Sequence, residues 1–128
     1  LMDLKGNLVN WLEIPVNDIK RAKTFYEQVF EIELMDLDIG DGTKMALFPN
    51  SQDKVGGALV ENKSFYHPGE QGPLLYLNGN PNLQQYLDHV EKAGGKILIQ
   101  KRMITEEYGH MAVIKDTEGN RIALHSNA

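Results

Sequence analysis

The chain has 128 residues, 41% apolar and 24% charged, proportions that suit one compact globular domain and exclude disorder and coiled coil. Thirteen Lys and Arg stand against eighteen Asp and Glu, a net charge of −5 with no basic cluster to neutralise a run of phosphates, so nucleic acid is not an expected partner. The absence of cysteine excludes disulfides, zinc ribbons and thiol nucleophiles, and no apolar run reaches membrane-spanning length or resembles a signal peptide, so no membrane partner and a cytoplasmic location are expected.

Residues 7–16, NLVNWLEIPV, are apolar and β-prone, and Asn17-Asp18 follows as a helix cap. From there Ile19, Ala22, Tyr26, Val29 and Phe30 recur at helical spacing and predict a helix of about 13 residues. Phe25-Tyr26 is read as its anchor to a sheet. Leu34-Met35, KMALFP (44–49) and GGALVE (56–61) read as three short strands. The segment NKSFYHPGEQG (62–72) is a linker. PLLYLNG (73–79) is the next strand, and Pro81 stands where a first helical residue would, with Asn80 as its cap. Leu83, Tyr86, Leu87, Val90 and Ala93 form a second helical stripe, which Gly94-Gly95 stops through the left-handed conformation that glycine permits. KILIQK (96–101), HMAVIK (110–115) and RIALHS (121–126) are the last strands, the final two joined by a turn over Asp116–Asn120.

The pattern is therefore one β-α-β-β-β unit over about 7–61 and a second over about 73–126, an internal repeat of order with little residue identity. The predicted class is α+β, a single domain over 1–128. Each unit puts a helix on one face of a small mixed sheet, and pairing the two sheets edge to edge would wrap their other faces around a central cleft.

VNWLEIPVNDIKRAKTFYEQVF resembles the opening strand and helix of the vicinal oxygen chelate superfamily, and EYGHMAVIKDTEGNRIALHS resembles its closing hairpin. This superfamily contains glyoxalase I, extradiol dioxygenases, and fosfomycin- and bleomycin-resistance proteins. The likeness runs from about Leu8 to Ser126 and implies a glyoxalase-like curved mixed sheet with a central cleft. It also implies a divalent metal held by His and Glu or Gln side chains at equivalent places in the two units, polarising substrate oxygens. The four places that the resemblance marks are Trp11, Ala58, the stretch Pro73-Leu74-Leu75, and Ala123, and none offers a metal donor. No metal and no cofactor are expected.

Alternation places Glu13 on the face of Trp11, and Arg121 and His125 on the face of Ala123. With His110 and Tyr76 taken as inward-facing, the residues Trp11, Glu13, Tyr76, His110, Arg121 and His125 are the predicted ligand-binding set. Their bland alternatives are a Trp11 that fills the cleft, a Glu13–Arg121 structural ion pair and a core His110. His67 is read as a loop residue. The expected function is binding of a small organic molecule, by sequestration or with general acid–base catalysis by His125, His110 or Glu13. Two alternatives stay open: a metal-dependent lyase or dioxygenase with ligands at other positions, and a non-catalytic interaction module. A homodimer is expected, since members of the superfamily often build the cleft by pairing units within or between chains.

Overall fold

Two runs of strand, helix and three strands follow one another along the chain. The computed structural model describes residues 2, 5–50 and 52–128. The first unit consists of β1 (Trp11–Pro15), α1 (Ile19–Phe30), β2 (Met35–Asp38), β3 (Lys44–Leu47) and β4 (Gly56–Glu61). The second consists of β5 (Leu75–Asn78), α2 (Gln84–Val90), β6 (Lys96–Thr105), β7 (Gly109–Lys115) and β8 (Arg121–Ser126). The result is α+β, with two four-stranded mixed sheets ordered β1-β4-β3-β2 and β5-β8-β7-β6. In each, the first strand lies parallel to the last and the remaining pairs are antiparallel.

Several elements differ from expectation at their ends, beginning with β1, which starts at Trp11 instead of residue 7. The second helix starts at Gln84 instead of Pro81, because the side chain of Asn82 accepts from the Gln84 amide at 3.0 Å. Asn80 serves elsewhere: its side chain accepts from the Asn127 amide at 2.8 Å. The helix itself ends at Val90, and a turn over 91–94 leads to the predicted glycine stop, with Gly94 at φ +103° while Gly95 N–H bonds Val90 O at 2.9 Å and Gly94 N–H bonds Glu91 O at 3.1 Å, a paired closure that uses otherwise orphan carbonyls. β6 runs to Thr105, four residues beyond its predicted end, on a ladder with register shifts against β7.

One core draws on both units. Ile14, Val16, Phe25, Tyr26 and Leu59 from the first pack with Leu83, Leu87, Ala112, Ile114 and Leu124 from the second, all nearly inaccessible to solvent. Burying side chains of this size stabilises by about 1.5–3 kcal/mol each. α1 and α2 lie against each other on this side, so both helices cover the same face of the paired sheets.

A polar clasp crosses between the units at the start of α1. Asp18 caps the helix by accepting from Arg21 N at 3.1 Å. Glu118, in the β7–β8 turn, accepts from the amides of Asn17 and Asp18 at 2.9 Å each and from Arg21 Nε at 2.7 Å. A second carboxylate, Glu61 at the end of β4, accepts from Ile19 N at 2.8 Å. Negative groups here meet the positive end of the helix dipole. Deeper in, the buried Tyr26 hydroxyl donates to Asp116 at 2.7 Å, and Asp116 also accepts from the amides of Glu118 and Asn120. Asn120 donates through Nδ2 to Pro15 O at 2.7 Å. Burial, then the Asp116 charge, pushes the Tyr26 phenol well above its usual range. Burial alone would raise the Glu118 carboxyl, but the Arg21 guanidinium, the amides of Asp18 and Asn17 and the Thr117 hydroxyl outweigh it and lower the group below the usual carboxylate range.

Candidate functional site

The faces turned away from the helices carry most of the predicted site. Ile14 and Leu59 point into the core, so their neighbours Glu13 and Ala58, paired across β1 and β4, look the other way. In the second unit Ile122 and Leu124 point into the core, and Ala123 packs with Met111 and Val113 on the outer face. Tyr76 stands in register with Ala123, as Glu13 does with Ala58. The two alanines are therefore equivalent positions of the repeat.

Trp11 is 46% exposed and its indole Nε1 donates to Glu13 Oε2 at 3.2 Å. Its ring lies over the start of β4, where a Cβ on Gly56 would come within 3.1 Å of it. The other Glu13 oxygen accepts from the Tyr66 hydroxyl at 2.5 Å, a bond that raises the Tyr66 phenol above its usual range. Tyr76 is 52% exposed. His125 is half-buried, and its Nε2 lies 2.6 Å from Tyr108 O. Arg121 donates from Nη2 to Gly72 O at 3.0 Å, while its Nε is buried without a protein partner. The expected alternative of a Glu13–Arg121 ion pair is not formed, because each group takes a linker partner instead.

His110 does not join this set. It shares its face with Ala112 and Ile114, whose side chains lie in the helix-side core, and it pairs with the buried Ser126. Its Nδ1 is buried with no protein partner. The alternation was legible, but both faces of this strand are covered, and parity alone does not say which one bounds a cleft.

The linker contributes more than its composition suggests. Tyr66 reaches Glu13, Glu70 pairs with Lys115 at 2.9 Å, and Gly72 receives Arg121, so residues 62–72 strap the outer face across both units. The adjacent rings Phe65 and Tyr66 pack edge to face, centroids 5.3 Å apart. Under the strap, Glu13, Arg121 and His67 line one cavity of about 240 Å3, with Pro73 and Leu75 as apolar wall. Residues from β1, the linker and β8 meet there, which joins oppositely charged groups that are not paired with each other.

The side chains do not fit a metal centre. Ala58 and Ala123, both fully buried, present methyl groups at the equivalent positions, and Trp11 offers only an N–H donor. Among the described residues no group of three or more His, Asp or Glu side chains converges as a metal site would require. None of these helices is long and apolar enough to cross a membrane.

A sequence model of the Glyoxalase/Bleomycin resistance protein/Dioxygenase superfamily matches residues 8–124. No curated protein matches the chain. Among solved structures, glyoxalase I from Zea mays superposes with a TM-score of 0.70 at 22% identity over 92% of this chain, which spans only 45% of the maize chain. A hypothetical protein of S. aureus gives a TM-score of 0.70 at 20% identity, covering 93% of each chain. A glyoxalase/bleomycin resistance protein/dioxygenase family enzyme from Burkholderia phytofirmans PsJN gives 0.65 at 16% identity, covering 93% of this chain and 98% of its own. At these identities the likeness establishes the fold.

Proposed function

The chain belongs to the glyoxalase/bleomycin resistance protein/dioxygenase superfamily, and from that premise we propose that it binds a small organic molecule on the outer face of its paired sheets without the superfamily's catalytic metal. One observation carries the reading: Glu13 and Arg121, from different units, line a single cavity while each is held by the linker instead of by the other. A carboxylate and a guanidinium fixed apart in a partly apolar pocket suit a ligand that itself has a polar head of mixed character and an apolar body. Trp11 and Tyr76, both half exposed, supply aromatic surface beside it. His125 stands on the same face, its Nε2 2.6 Å from Tyr108 O. A homodimer is part of the reading, supported by Met35 and Leu37 on the edge strand β2, 69% and 42% exposed.

The test is elemental analysis of purified protein together with thermal unfolding against added divalent metals and a panel of amino acids, keto acids and aromatic acids. Expected are no stoichiometric metal, no metal-dependent rise of the midpoint, and at least one organic ligand that raises it. That rise should vanish in Glu13→Gln and Arg121→Gln. Bound metal at one equivalent would overturn the metal-free reading, and a ligand held unchanged by both variants would overturn the site.

A further inference from the structure

The repeat builds a second cavity at the other end of the seam between β1 and β5. Ile14 and Pro15 meet Pro73 and Leu75 in the cavity described above, whereas Leu12 meets Leu77 and Asn78 in a cavity of about 370 Å3. The strand positions beside the two correspond, although one cavity opens under the linker and the other toward the helices. Leu75 pairs with Ile122 in one, and Leu12 pairs with Gly57 in the other, so Gly56-Gly57 stand where Arg121-Ile122 stand in the second unit. Gly57 is required by the close approach of β1, since a Cβ there would lie 2.6 Å from Leu12 O. Gly56 and Gly57 therefore present backbone to this cavity where the second unit presents Arg121 and Ile122.

The chemistry of the two cavities differs. No charged residue lines the larger one. Its walls are Phe30 from α1, Tyr86 from α2, Phe48 beyond β3, and Leu12 and Leu77 from the seam strands. The rings of Phe30 and Tyr86 are 5.4 Å apart and tilted by 40°, one from each unit. Asn78 lies at one end of the wall, but its side chain alternates to the outer face and accepts from the Asn80 amide at 2.9 Å, so the Tyr86 hydroxyl is the polar side-chain group of the lining. An uncharged, ring-lined cavity disfavours ions, which would lose hydration without a counter-charge, and favours flat apolar molecules. Its volume lies within the range of small-molecule sites, about 300–1,000 Å3.

We propose that this seam cavity is a second binding site, separate from the outer face, for a neutral and largely apolar molecule of about two fused or linked rings. The ligand bridges the units, because its walls come from both helices and both seam strands.

The probe is N-phenyl-1-naphthylamine, a neutral fluorophore, titrated into the full chain. A saturable rise in fluorescence at one equivalent is expected. Ile32→Trp, which extends a wall residue into the space, should weaken binding by about tenfold or more, equivalent to about 1.4 kcal/mol. Leu77→Phe fills the same space from the other unit and should act alike, with folding of each variant checked by its unfolding midpoint. Absence of binding, a non-saturable signal, or affinity unchanged in both folded variants overturns the proposal. Loss in Tyr76→Ala as large as in Ile32→Trp also overturns it, because the probe would then sit on the outer face.

Discussion

The two units solve the start of their helices differently. Each retains a cap from the end of its own last strand: Glu61 accepts from Ile19 N at 2.8 Å, and Ser126 accepts from Leu83 N at 3.0 Å through its hydroxyl. Among the described residues, the start of the first helix but not of the second receives further polar partners from the opposite unit: Glu118 accepts from the amides of Asn17 and Asp18, Asp116 from the Tyr26 hydroxyl, and Asn120 donates to Pro15 O in the preceding β1. α1 has 12 residues and is capped by Asp18, whereas α2 has seven and no side-chain bond from its cap residue. A duplicated pattern has thus become asymmetric, with the inter-unit polar contacts concentrated at one helix. The difference separates residues that tie the units together from residues of the proposed site.

The asymmetry can be broken first at Asp116. Asp116→Ala removes the acceptor of the buried Tyr26 hydroxyl and of two amides, and should cost about 3 kcal/mol or more in urea unfolding. The same change at the exposed Asp53, in the loop between β3 and β4, should cost less than about 0.5 kcal/mol. Next is Glu118→Gln, expected to cost about 2 kcal/mol at pH 7 by removing a fully buried charge partner of Arg21. Because the folded-state pKa of Glu118 is depressed, its contribution is present above the unfolded carboxylate pKa and is lost as pH falls through the lower folded value. Urea midpoints of the two proteins should therefore converge on acidification, and a constant gap down to low pH would contradict this assignment.

Smaller effects sharpen the comparison. Ser126→Ala and Glu61→Ala each remove an own-unit cap, and each should lower stability by about 1 kcal/mol, to similar extents. A much larger loss for Ser126→Ala would mean that the second unit depends on this cap more than on the Asn82 bond to Gln84. The helix ends also differ, since α1 stops on Glu31 at φ 55° where the second unit has Gly94. Glu31→Gly should stabilise by about 0.5–1 kcal/mol, read as a higher thermal midpoint.

Periodicity and turn chemistry made most of the fold legible. β4 and β8 have the bounds their sequence pattern predicts, and Ala22, Tyr26 and Val29 form the buried stripe of α1. The start of α2 was obscured because two asparagines and a proline precede it, and the capping bond to Gln84 comes from Asn82, nearer the helix than Asn80. The motif Asp-Thr-Glu-Gly-Asn was legible as a turn, but its partners Tyr26, Arg21 and Pro15 lie about a hundred residues away and carry no local signal. At the site, parity correctly joined Trp11 with Glu13. It could not reveal Tyr66, whose contact with Glu13 depends on how an irregular segment crosses the sheets.

The Glu118 contacts also bear on synthesis. Asn17 and Asp18 emerge from a ribosome about a hundred residues before Glu118. At about 5–20 residues per second, the amides at the start of α1 wait roughly 5–20 s for that carboxylate. During that interval the first unit has its own Asp18 and Glu61 caps but lacks the second wall of its core. A nascent chain stalled before residue 116 should accordingly expose Phe25 and Tyr26 to proteases and holding chaperones, and become resistant only when the last hairpin clears the exit tunnel.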